Sequence, residues 1–335
     1  MAKRDNYYSF MKGIAIIAVL FIHTPFMGSD GAAAIACRQI FTFAVALFFF
    51  LSGYFVKDKS LDAKGIFRIF IPYIIWSVLW FTETTVTGSQ PVNAWKIINT
   101  IFFGGAFFPL YFLIVLIELK LLSPWLARHI RRLYGSGGHP FLKDWVLLIT
   151  PVYLGVLYYL QYQSHRQPLI YAQIFPAWIL FYYVGMLVKF VGFHIKPTTL
   201  LCSTALGLYL MMLESTFINE YLQIPFWAAT QIKFSSAIFS LSLCLLLMSL
   251  HCEMKEGILV RLGEMSFGIY LLHLPVLKFV TIAYNGLCNS IGAVLIGTAV
   301  SQVFLIIATL SICFVLLSIA KKILPTKLNR YLGFQ

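Results

Sequence analysis

Long apolar stretches, separated by short polar or basic segments, follow one another along the whole chain. A helix needs about 20 apolar residues to cross a bilayer, and ten stretches meet or approach that length. The predicted spans are residues 10–27, 35–56, 66–86, 101–122, 145–162, 170–190, 198–216, 232–251, 262–283 and 292–320. The fourth is interrupted by Gly104, Gly105 and Pro109, which leaves its start open. The pattern predicts an all-α fold, a polytopic transmembrane helix bundle of about ten spans.

Composition supports a membrane protein. Of the 335 residues, 60% are hydrophobic and 11% are charged, whereas soluble proteins carry about 25% charged residues. We therefore expect a single integral membrane domain over residues 1–335. The first apolar run lacks the small-residue cleavage site of a signal peptide. The six cysteines show neither a CxxC motif nor a metal-binding spacing, so they are interpreted as small apolar residues.

The distribution of basic residues predicts the orientation. With ten spans and an inner N-terminus, 19 of the 25 Lys and Arg residues fall in inner segments and five in outer ones, the remaining one being Lys12. The positive-inside rule then places both termini in the cytoplasm. The net charge of +13 is explained by these loops and does not indicate a nucleic-acid-binding face.

The first span contains two ionisable residues, Lys12 and His23, in an otherwise apolar helix. Eleven positions correspond to about 20° beyond three full turns and a rise of about 16 Å. Both side chains therefore share one stripe, and ionisable side chains within a membrane usually face a protein interior or a wet cavity. Taken singly, Lys12 could be a snorkelling anchor and His23 an interfacial histidine; the shared stripe favours a functional role.

Three further groups of residues are candidates for binding a ligand. Ser52 and Gly53 interrupt an aromatic run, where close helix packing is the alternative to ligand approach. Lys64 and Arg68 flank the start of the third span, where Arg68 could bind phosphate or anchor the helix. In the ninth span Tyr270 precedes His273 by one turn. There the alternative is a kinked structural helix, in which His273 bonds the carbonyl freed by Pro275, at about Leu271.

These motifs, in this order, resemble the membrane-bound acyltransferase family 3, of the bacterial surface-polysaccharide O-acetyltransferase type. Lys12 and His23 match the basic residue, ten intervening residues and histidine of that family's first span. FFFLSGYF at 48–55 is similar to its aromatic Ser-Gly motif, and FRIFIPY at 67–73 to its basic segment before a proline. LGEMSFGIYLLHLP at 262–275 is similar to its late signature.

Two positions depart from the family pattern. Many members have Arg where this chain has Lys12, and the arginine pair of the first inner loop is represented here by Lys64 and Arg68 at a different spacing. With no appended hydrolase-like domain in the sequence, the chain resembles the stand-alone form of the family.

The resemblance implies transfer of an acyl group, which in this family is usually acetyl. The donor would be acetyl-coenzyme A, and the acceptor a hydroxyl of a cell-surface polysaccharide such as O-antigen or capsule. It implies His23 and Lys12 as catalytic residues and Tyr270 and His273 as substrate-binding residues. The implied contacts to the cofactor are Lys12, Ser52, Gly53, Lys64 and Arg68. No metal is expected, and the implied partners are acetyl-coenzyme A, a glycan acceptor and the lipid bilayer of the bacterial inner membrane.

Two other classes of function remain open from the residues alone. A transporter or flippase of a lipid-linked sugar or acyl group would also place ionisable residues inside the membrane, although the hydropathy shows no convincing internal repeat. A scaffold protein would leave the stripe of Lys12 and His23 unexplained.

Overall fold

The computed structural model describes residues 5–24, 32–57, 61–87, 93–105, 108–135, 141–164, 171–192, 195–290 and 298–334. Across these ranges the chain is all-helical, and no strand occurs among them. The helices are α1 (Asn6–His23), α2 (Ala32–Ile40), α3 (Phe43–Tyr54), α4 (Ala63–Val86), α5 (Ala94–Phe103), α6 (Tyr111–Tyr134), α7 (Val146–Ser164), α8 (Ile179–Phe190), α9 (Pro197–Glu220), α10 (Pro225–Ala229), α11 (Phe234–Ser249), α12 (Ile258–Glu264), α13 (Ser266–Ser290), α14 (Ala299–Ile323) and α15 (Thr326–Leu332).

Seven helical segments in the described ranges are long and apolar enough to cross a membrane. They are α1, α4, α9, α13 and α14, together with the segments Ala34–Tyr54 and Pro225–Ser249. The other three predicted spans correspond to α6, α7 and α8, and α8 has only 12 residues. The structure thus supports a multi-pass membrane protein, while the count of ten spans and the cytoplasmic termini stay predictions.

The first helix begins earlier and ends earlier than the predicted span 10–27. It begins at Asn6 because the Asp5 side chain accepts a hydrogen bond from the Tyr7 backbone N–H, at 2.9 Å. It ends at His23, and Thr24 is extended with its hydroxyl donating to the Leu20 carbonyl oxygen. The next residue in the sequence is a proline, which disfavours helical backbone at Thr24. Residues 25–27 of the prediction lie outside the described part of the chain.

The predicted fourth span is two helices. Helix α5 ends at Gly104, whose φ of 69° is the left-handed conformation that glycine adopts at helix ends. Helix α6 begins at Tyr111 after a short 3-10 turn that contains Pro109. The break falls where the sequence has Gly104, Gly105 and Pro109.

Contacts between Cα atoms divide the chain into two units. The first comprises residues 1–47, 195–329 and 333–335, and the second comprises 48–194 and 330–332. In the first unit α1 packs against α12, α13 and α14, and α9 packs against α2, α10 and α11. In the second unit α6 packs against α4, α5 and α8, and α7 packs against α8.

Helices α1 and α12 approach each other closely because a glycine on each faces the other's backbone. A Cβ atom at Gly263 would collide with the Ser9 carbonyl oxygen, and one at Gly13 would collide with the Leu259 carbonyl oxygen. Small residues let membrane helices pack backbone to backbone. This contact holds α1 in register in the first unit.

Candidate functional site

Lys12 and His23 both lie in α1, as the sequence predicts, and both are half-buried. One face of the helix is buried, with Met11, Ala15 and Ile16 fully enclosed. His23 is the last residue of α1, about 16 Å along the helix axis from Lys12. The helix therefore presents the basic residue near one end and the histidine at the other.

The structure brings the two intramembrane histidines together. The ring centroids of His23, on α1, and His273, on α13, are 5.4 Å apart, and the ring planes are inclined by 52°. The side chain of His273 is completely buried, with 0% exposed. The first and last motifs of the sequence thus meet at one site in the first unit.

A backbone hydrogen bond fixes the tautomer of His273. Its Nδ1 lies 2.6 Å from the Tyr270 carbonyl oxygen, and because a carbonyl only accepts, Nδ1 must carry the hydrogen. In the neutral ring Nε2 then has the lone pair. Within the described residues Nε2 is buried and has no hydrogen-bond partner, so it is available to accept a proton or hydrogen bond.

The structural alternative for His273, a bond to the carbonyl freed by Pro275, is wrong about which carbonyl accepts the bond. The sequence suggested a bond to the carbonyl freed by Pro275, at about Leu271, but the ring bonds the Tyr270 carbonyl three residues back. The Tyr270 ring itself is half-buried, with its centroid 5.8 Å from that of His273. Tyr270 therefore orients His273 through its backbone and packs beside it through its side chain.

The Ser-Gly motif belongs to the second unit, where the structure gives Gly53 a packing role. A Cβ atom at Gly53 would collide with the Tyr182 carbonyl oxygen, and one at Gly185 would collide with the Phe50 carbonyl oxygen. These reciprocal contacts pack the end of α3 against the backbone of α8, as the packing alternative expected. Ser52 beside it is half-buried, and contact of either residue with a cofactor stays a prediction.

Lys64 and Arg68 are both exposed in the first turns of α4. The residue before this helix, Asp62, accepts a hydrogen bond from the Gly65 backbone N–H at 3.2 Å and one from Lys57 Nζ at 2.8 Å. The hydrogen bond from Lys57 is the main cause that holds the Asp62 pKa below its ordinary value. The start of α4 is therefore a well-capped basic surface, suited to phosphate groups.

Arg38 is a functional candidate that the sequence reasoning did not single out. It was counted as an outer-loop cation, but it lies in α2, inside the apolar segment Ala34–Tyr54, and is half-buried. Arg38 and Thr24, the residue after His23, line the same small cleft. A basic residue inside an apolar run was the signal that could have identified it.

A buried lysine lies close by in the same unit and was also missed. Lys233, with 0% of its side chain exposed, donates to Gln39 Oε1 at 2.9 Å, to Ser215 Oγ at 2.6 Å and to the Ala228 carbonyl oxygen at 2.5 Å. Its three donors are all used within the fold. Lys233 therefore ties α2 to α9 and α10.

Metal ligation has no candidate in the described part of the chain. There, no group of three or more His, Cys, Asp or Glu side chains is arranged to hold a metal ion.

Comparison with known proteins identifies the family. The model of the acyltransferase domain of acyltransferase family 3 matches residues 5–318, nearly the whole chain. No curated protein and no solved structure matches the chain. The matched range includes α1 with His23 and α13 with His273. The chain therefore belongs to the membrane-bound acyltransferase family 3.

Proposed function

We propose that the protein transfers an acetyl group from acetyl-coenzyme A to a hydroxyl of a cell-surface polysaccharide, such as O-antigen or capsule. The observation that carries this proposal is the pairing of His23 with His273, whose Nδ1 is held by the Tyr270 carbonyl and whose Nε2 is left as an acceptor. Membership of an acyltransferase family supports the type of reaction.

His23 is the proposed general base. A sugar hydroxyl is a poor nucleophile near neutral pH, and proton removal by a positioned histidine contributes about 10² to 10⁴ in rate. As the hydroxyl oxygen bonds to the thioester carbonyl carbon, its proton passes to the His23 ring. The carbon–sulfur bond then breaks, and coenzyme A leaves as a thiolate that takes the proton from His23. No acyl-enzyme intermediate is needed.

His273 is the proposed positioning residue for His23. A histidine that accepts a proton becomes an imidazolium with two N–H donors, and Nε2 of the neighbouring His273 ring is a buried acceptor without a partner among the described residues. A modest ring rotation from the 5.4 Å centroid separation brings the rings into hydrogen-bond contact. His273 would then stabilise the imidazolium form of His23 and orient the other His23 nitrogen toward the acceptor hydroxyl. The Tyr270 side chain is the second residue proposed to contact the acceptor.

The donor is proposed to extend along α1 from Lys12 to His23. Their axial separation is comparable with the length of the pantetheine arm of coenzyme A. Lys12 would contact the donor's phosphate or carbonyl oxygens. Four residues of the second unit are proposed separately as contacts to acetyl-coenzyme A: the exposed cations Lys64 and Arg68, together with Ser52 and Gly53.

The proposed location is the bacterial inner membrane, with both termini in the cytoplasm. The excess of Lys and Arg in alternate loops supports this orientation. Acetyl-coenzyme A is a cytoplasmic metabolite, and the end of α1 that carries Lys12 would face it. His23 would then lie toward the outer half of the membrane.

The test is acetyl transfer by purified protein in detergent. Wild type, His23→Ala and His273→Ala are incubated with radiolabelled acetyl-coenzyme A and with lipid-linked glycan extracted from the host. We expect thioester turnover and label in glycan with wild type, and loss of both with His23→Ala. His251→Gln is the matched control, because His251 is exposed and lies outside the histidine pair, and the glutamine amide keeps a donor for its partner Asp5.

The outcomes separate the proposal from a transporter or flippase. Turnover unchanged in a folded, monodisperse His23→Ala protein would remove His23 from the mechanism. Absence of turnover in wild type, combined with loss of glycan export when the gene is deleted, would favour transport.

A further inference from the structure

The end of α6 and the start of α7 carry two exposed tryptophans that contact each other. Trp125, on α6, is 40% exposed and Trp145, one residue before α7, is 51% exposed, although their ring centroids are only 5.6 Å apart. Both belong to the second unit. Tryptophan is enriched where a membrane meets water. The pair fits that level, because Trp145 begins the predicted span 145–162 and Trp125 follows the predicted span 101–122 by three residues.

The exposed face of α6 changes its chemistry along the helix. Four exposed residues share this face at spacings of four, three and four positions: Leu121, Trp125, Arg128 and Arg132. With about 100° per residue, they lie within about 60° of one another around the helix, over a rise of about 16 Å. The face is therefore apolar, then aromatic, then basic, in the same order as the acyl chains, the interface and the headgroups of a bilayer.

The exposed face of α7 has the same order. Leu148, Val152 and Val156 are exposed and follow Trp145 at helical spacing. Lys143, two residues before Trp145, is also exposed. Both helices thus present apolar side chains on one side of the tryptophan pair and cations on the other side.

A buried carboxylate holds these two segments together. The side chain of Asp144 is completely buried, and it accepts hydrogen bonds from the Tyr134 hydroxyl at 2.8 Å and the Tyr183 hydroxyl at 2.7 Å. It also accepts from Nε2 of His129 at 3.1 Å, since an ionised carboxylate only accepts. These bonds join α6 and α8 to the residue that leads into α7. The exposed side chains around Asp144 are therefore carried on an anchored framework.

The ring of His129 packs against both tryptophans. Its centroid lies 5.9 Å from that of Trp125, with the ring planes inclined by 16°, and 5.8 Å from that of Trp145, with the planes inclined by 71°. Because Asp144 fixes the histidine ring, the two indoles rest on an immobilised support. Their exposed faces form a rigid aromatic surface beside the cations.

The charge of this part of the chain is strongly positive. Residues 119–164 include five Lys and Arg residues and one acid, Asp144, which is buried and shared by three side-chain donors. Arg128 and Arg132 are one turn apart and exposed. The Nε atom of Arg128 donates to the Pro124 carbonyl oxygen at 3.3 Å, and a guanidinium group has five N–H donors. Two such groups side by side are suited to a phosphate, which guanidinium binds through paired hydrogen bonds.

We propose that Trp125, Arg128, Arg132, Lys143 and Trp145 form a binding site for an anionic phospholipid, which we call the interfacial patch. The lipid phosphate would contact the two arginines, and the tryptophans would lie beside the glycerol backbone. The acyl chains would run along the exposed apolar faces of α6 and α7. The ligand is a lipid and not a soluble phosphate, because the cations continue a surface that is apolar on the other side of the tryptophans.

The site is independent of acetyl transfer and adds a specific lipid to it. With the orientation proposed above, the interfacial patch lies at the cytoplasmic leaflet, which contains anionic lipids. A zwitterionic headgroup carries no net charge to balance the arginines. The inference therefore predicts a preference between lipids that differ only in headgroup charge.

Quenching of tryptophan fluorescence by brominated lipid measures this contact. The full chain is reconstituted in phosphatidylcholine vesicles, into which dibrominated phosphatidylglycerol or dibrominated phosphatidylcholine is titrated. Because the chain has seven Trp, the signal of the pair is the difference between wild type and the double variant Trp125→Phe, Trp145→Phe. The same subtraction is made for every other variant. The ratio of the two quenching curves gives the preference for the anionic lipid.

We expect a preference of about 25-fold in wild type at low salt, because one basic residue near an anionic surface strengthens binding about fivefold. In the double variant Arg128→Gln, Arg132→Gln it should fall to about fivefold or less. The charge control is Lys321→Gln, Lys322→Gln, which removes two adjacent exposed cations at the end of α14 in the first unit. This control should keep the wild-type preference.

Three results would overturn the inference. Equal quenching of the pair by the two lipids in wild type would show that no anionic site exists there. An equal loss of preference in the arginine variant and in the charge control would show a general attraction of a basic protein to an anionic membrane. Loss of the preference on addition of millimolar coenzyme A would assign the arginines to the phosphates of a soluble cofactor. The assay contains no acyl acceptor, so its result does not depend on acetyl transfer.

Discussion

His273 and Tyr270 are joined by a hydrogen bond within α13, from the histidine Nδ1 to the tyrosine carbonyl oxygen three residues earlier, at 2.6 Å. This bond leaves Nε2 with the free nitrogen lone pair of the neutral ring, in a buried position on a ring whose centroid is 5.4 Å from that of His23. The arrangement resembles a catalytic base whose orientation is set by a second group. Here His23 is the proposed base and His273 the second group, and a backbone carbonyl in turn sets the orientation of His273.

The two nitrogens of His273 can be tested separately. His273→Asn places an amide near the Nδ1 position and keeps a donor for the Tyr270 carbonyl, but it removes the acceptor that faces His23. We expect kcat to fall by about 10² to 10³ with little change in KM for acetyl-coenzyme A. His273→Gln places an amide oxygen or nitrogen near Nε2, and it should recover part of the loss.

Steady-state kinetics on both variants, with thermal stability measured alongside, checks this prediction. Equal kcat in wild type and His273→Asn would show that the acceptor at Nε2 is not used. A fall in stability that parallels the fall in kcat would indicate a structural role instead.

The contact between α1 and α12 predicts a strong effect of one methyl group. Gly263→Ala introduces a Cβ atom against the Ser9 carbonyl oxygen, and backbone cannot move aside as a flexible side chain can. Overpacking costs about 1–3 kcal/mol, so we expect a clear fall in melting temperature. Since α1 carries His23, activity should fall at temperatures where the protein is still folded.

Gly286→Ala is the matched control for this prediction. Gly286 is also a helical glycine, in α13, but no atom lies within 4 Å of the position its Cβ would take. Thermal unfolding in detergent, followed by tryptophan fluorescence, compares the two variants. An equal shift in both would contradict the close packing of α1 on α12.

Lys233→Met is expected to destabilise the protein strongly. The substitution leaves Gln39 Oε1, Ser215 Oγ and the Ala228 carbonyl oxygen without the donor they share. A buried acceptor without a partner costs about 1–3 kcal/mol. The measurement is the melting temperature and expression level beside Lys278→Met, which removes an exposed lysine. Similar values for the two variants would show that the buried network contributes little.

The charge on Asp62 gives a prediction for pH. Its folded pKa lies below the ordinary value, chiefly because Lys57 donates to it, so its charge stabilises the fold above the unfolded pKa of about 3.9. That contribution is lost as the pH falls through the folded pKa. Because the pair is partly exposed and screened by solvent, we expect at most about 1 kcal/mol.

Asp62→Asn tests this charge while keeping an oxygen that can cap α4. The variant should melt at a slightly lower temperature than wild type at pH 7, and the difference should shrink as the pH falls below the unfolded pKa of about 3.9. A difference that is constant over this range would assign the effect to the cap rather than to the charge.

The helices of this protein could be predicted largely from the sequence, because apolar length alone identifies membrane spans. The ends of the helices were harder to predict, since they depend on local hydrogen bonds such as those of the Asp5 cap and the Thr24 hydroxyl. The fourth span illustrates this limit, because a hydropathy average conceals the break at Gly104.

The site was predictable in part. The motif of His23 and the motif of His273 each attracted attention, but their meeting depends on the packing of α1 against α13, which has no signature in a single sequence. Arg38 was missed because the positive-inside count assigned it to an outer segment, although it lies within the predicted span 35–56. The packing role of Gly53 was one of two stated alternatives, and it depends on the Tyr182 carbonyl oxygen, whose position a single sequence does not give.

The buried hydrogen bond between Lys233 and Gln39 has a consequence for biosynthesis. The two residues are separated by 194 positions in the chain, so Gln39 enters the membrane long before Lys233 has been translated. During that interval α2 lacks its anchoring partner, and Arg38 must depend on water, headgroups or the insertion machinery for temporary stabilisation. The part of the first unit that holds Gln39 and Lys233 therefore assembles late, after α11 has been inserted. A ribosome that stops before Lys233 would leave a nascent chain whose second helix is unanchored, a ready substrate for membrane quality control.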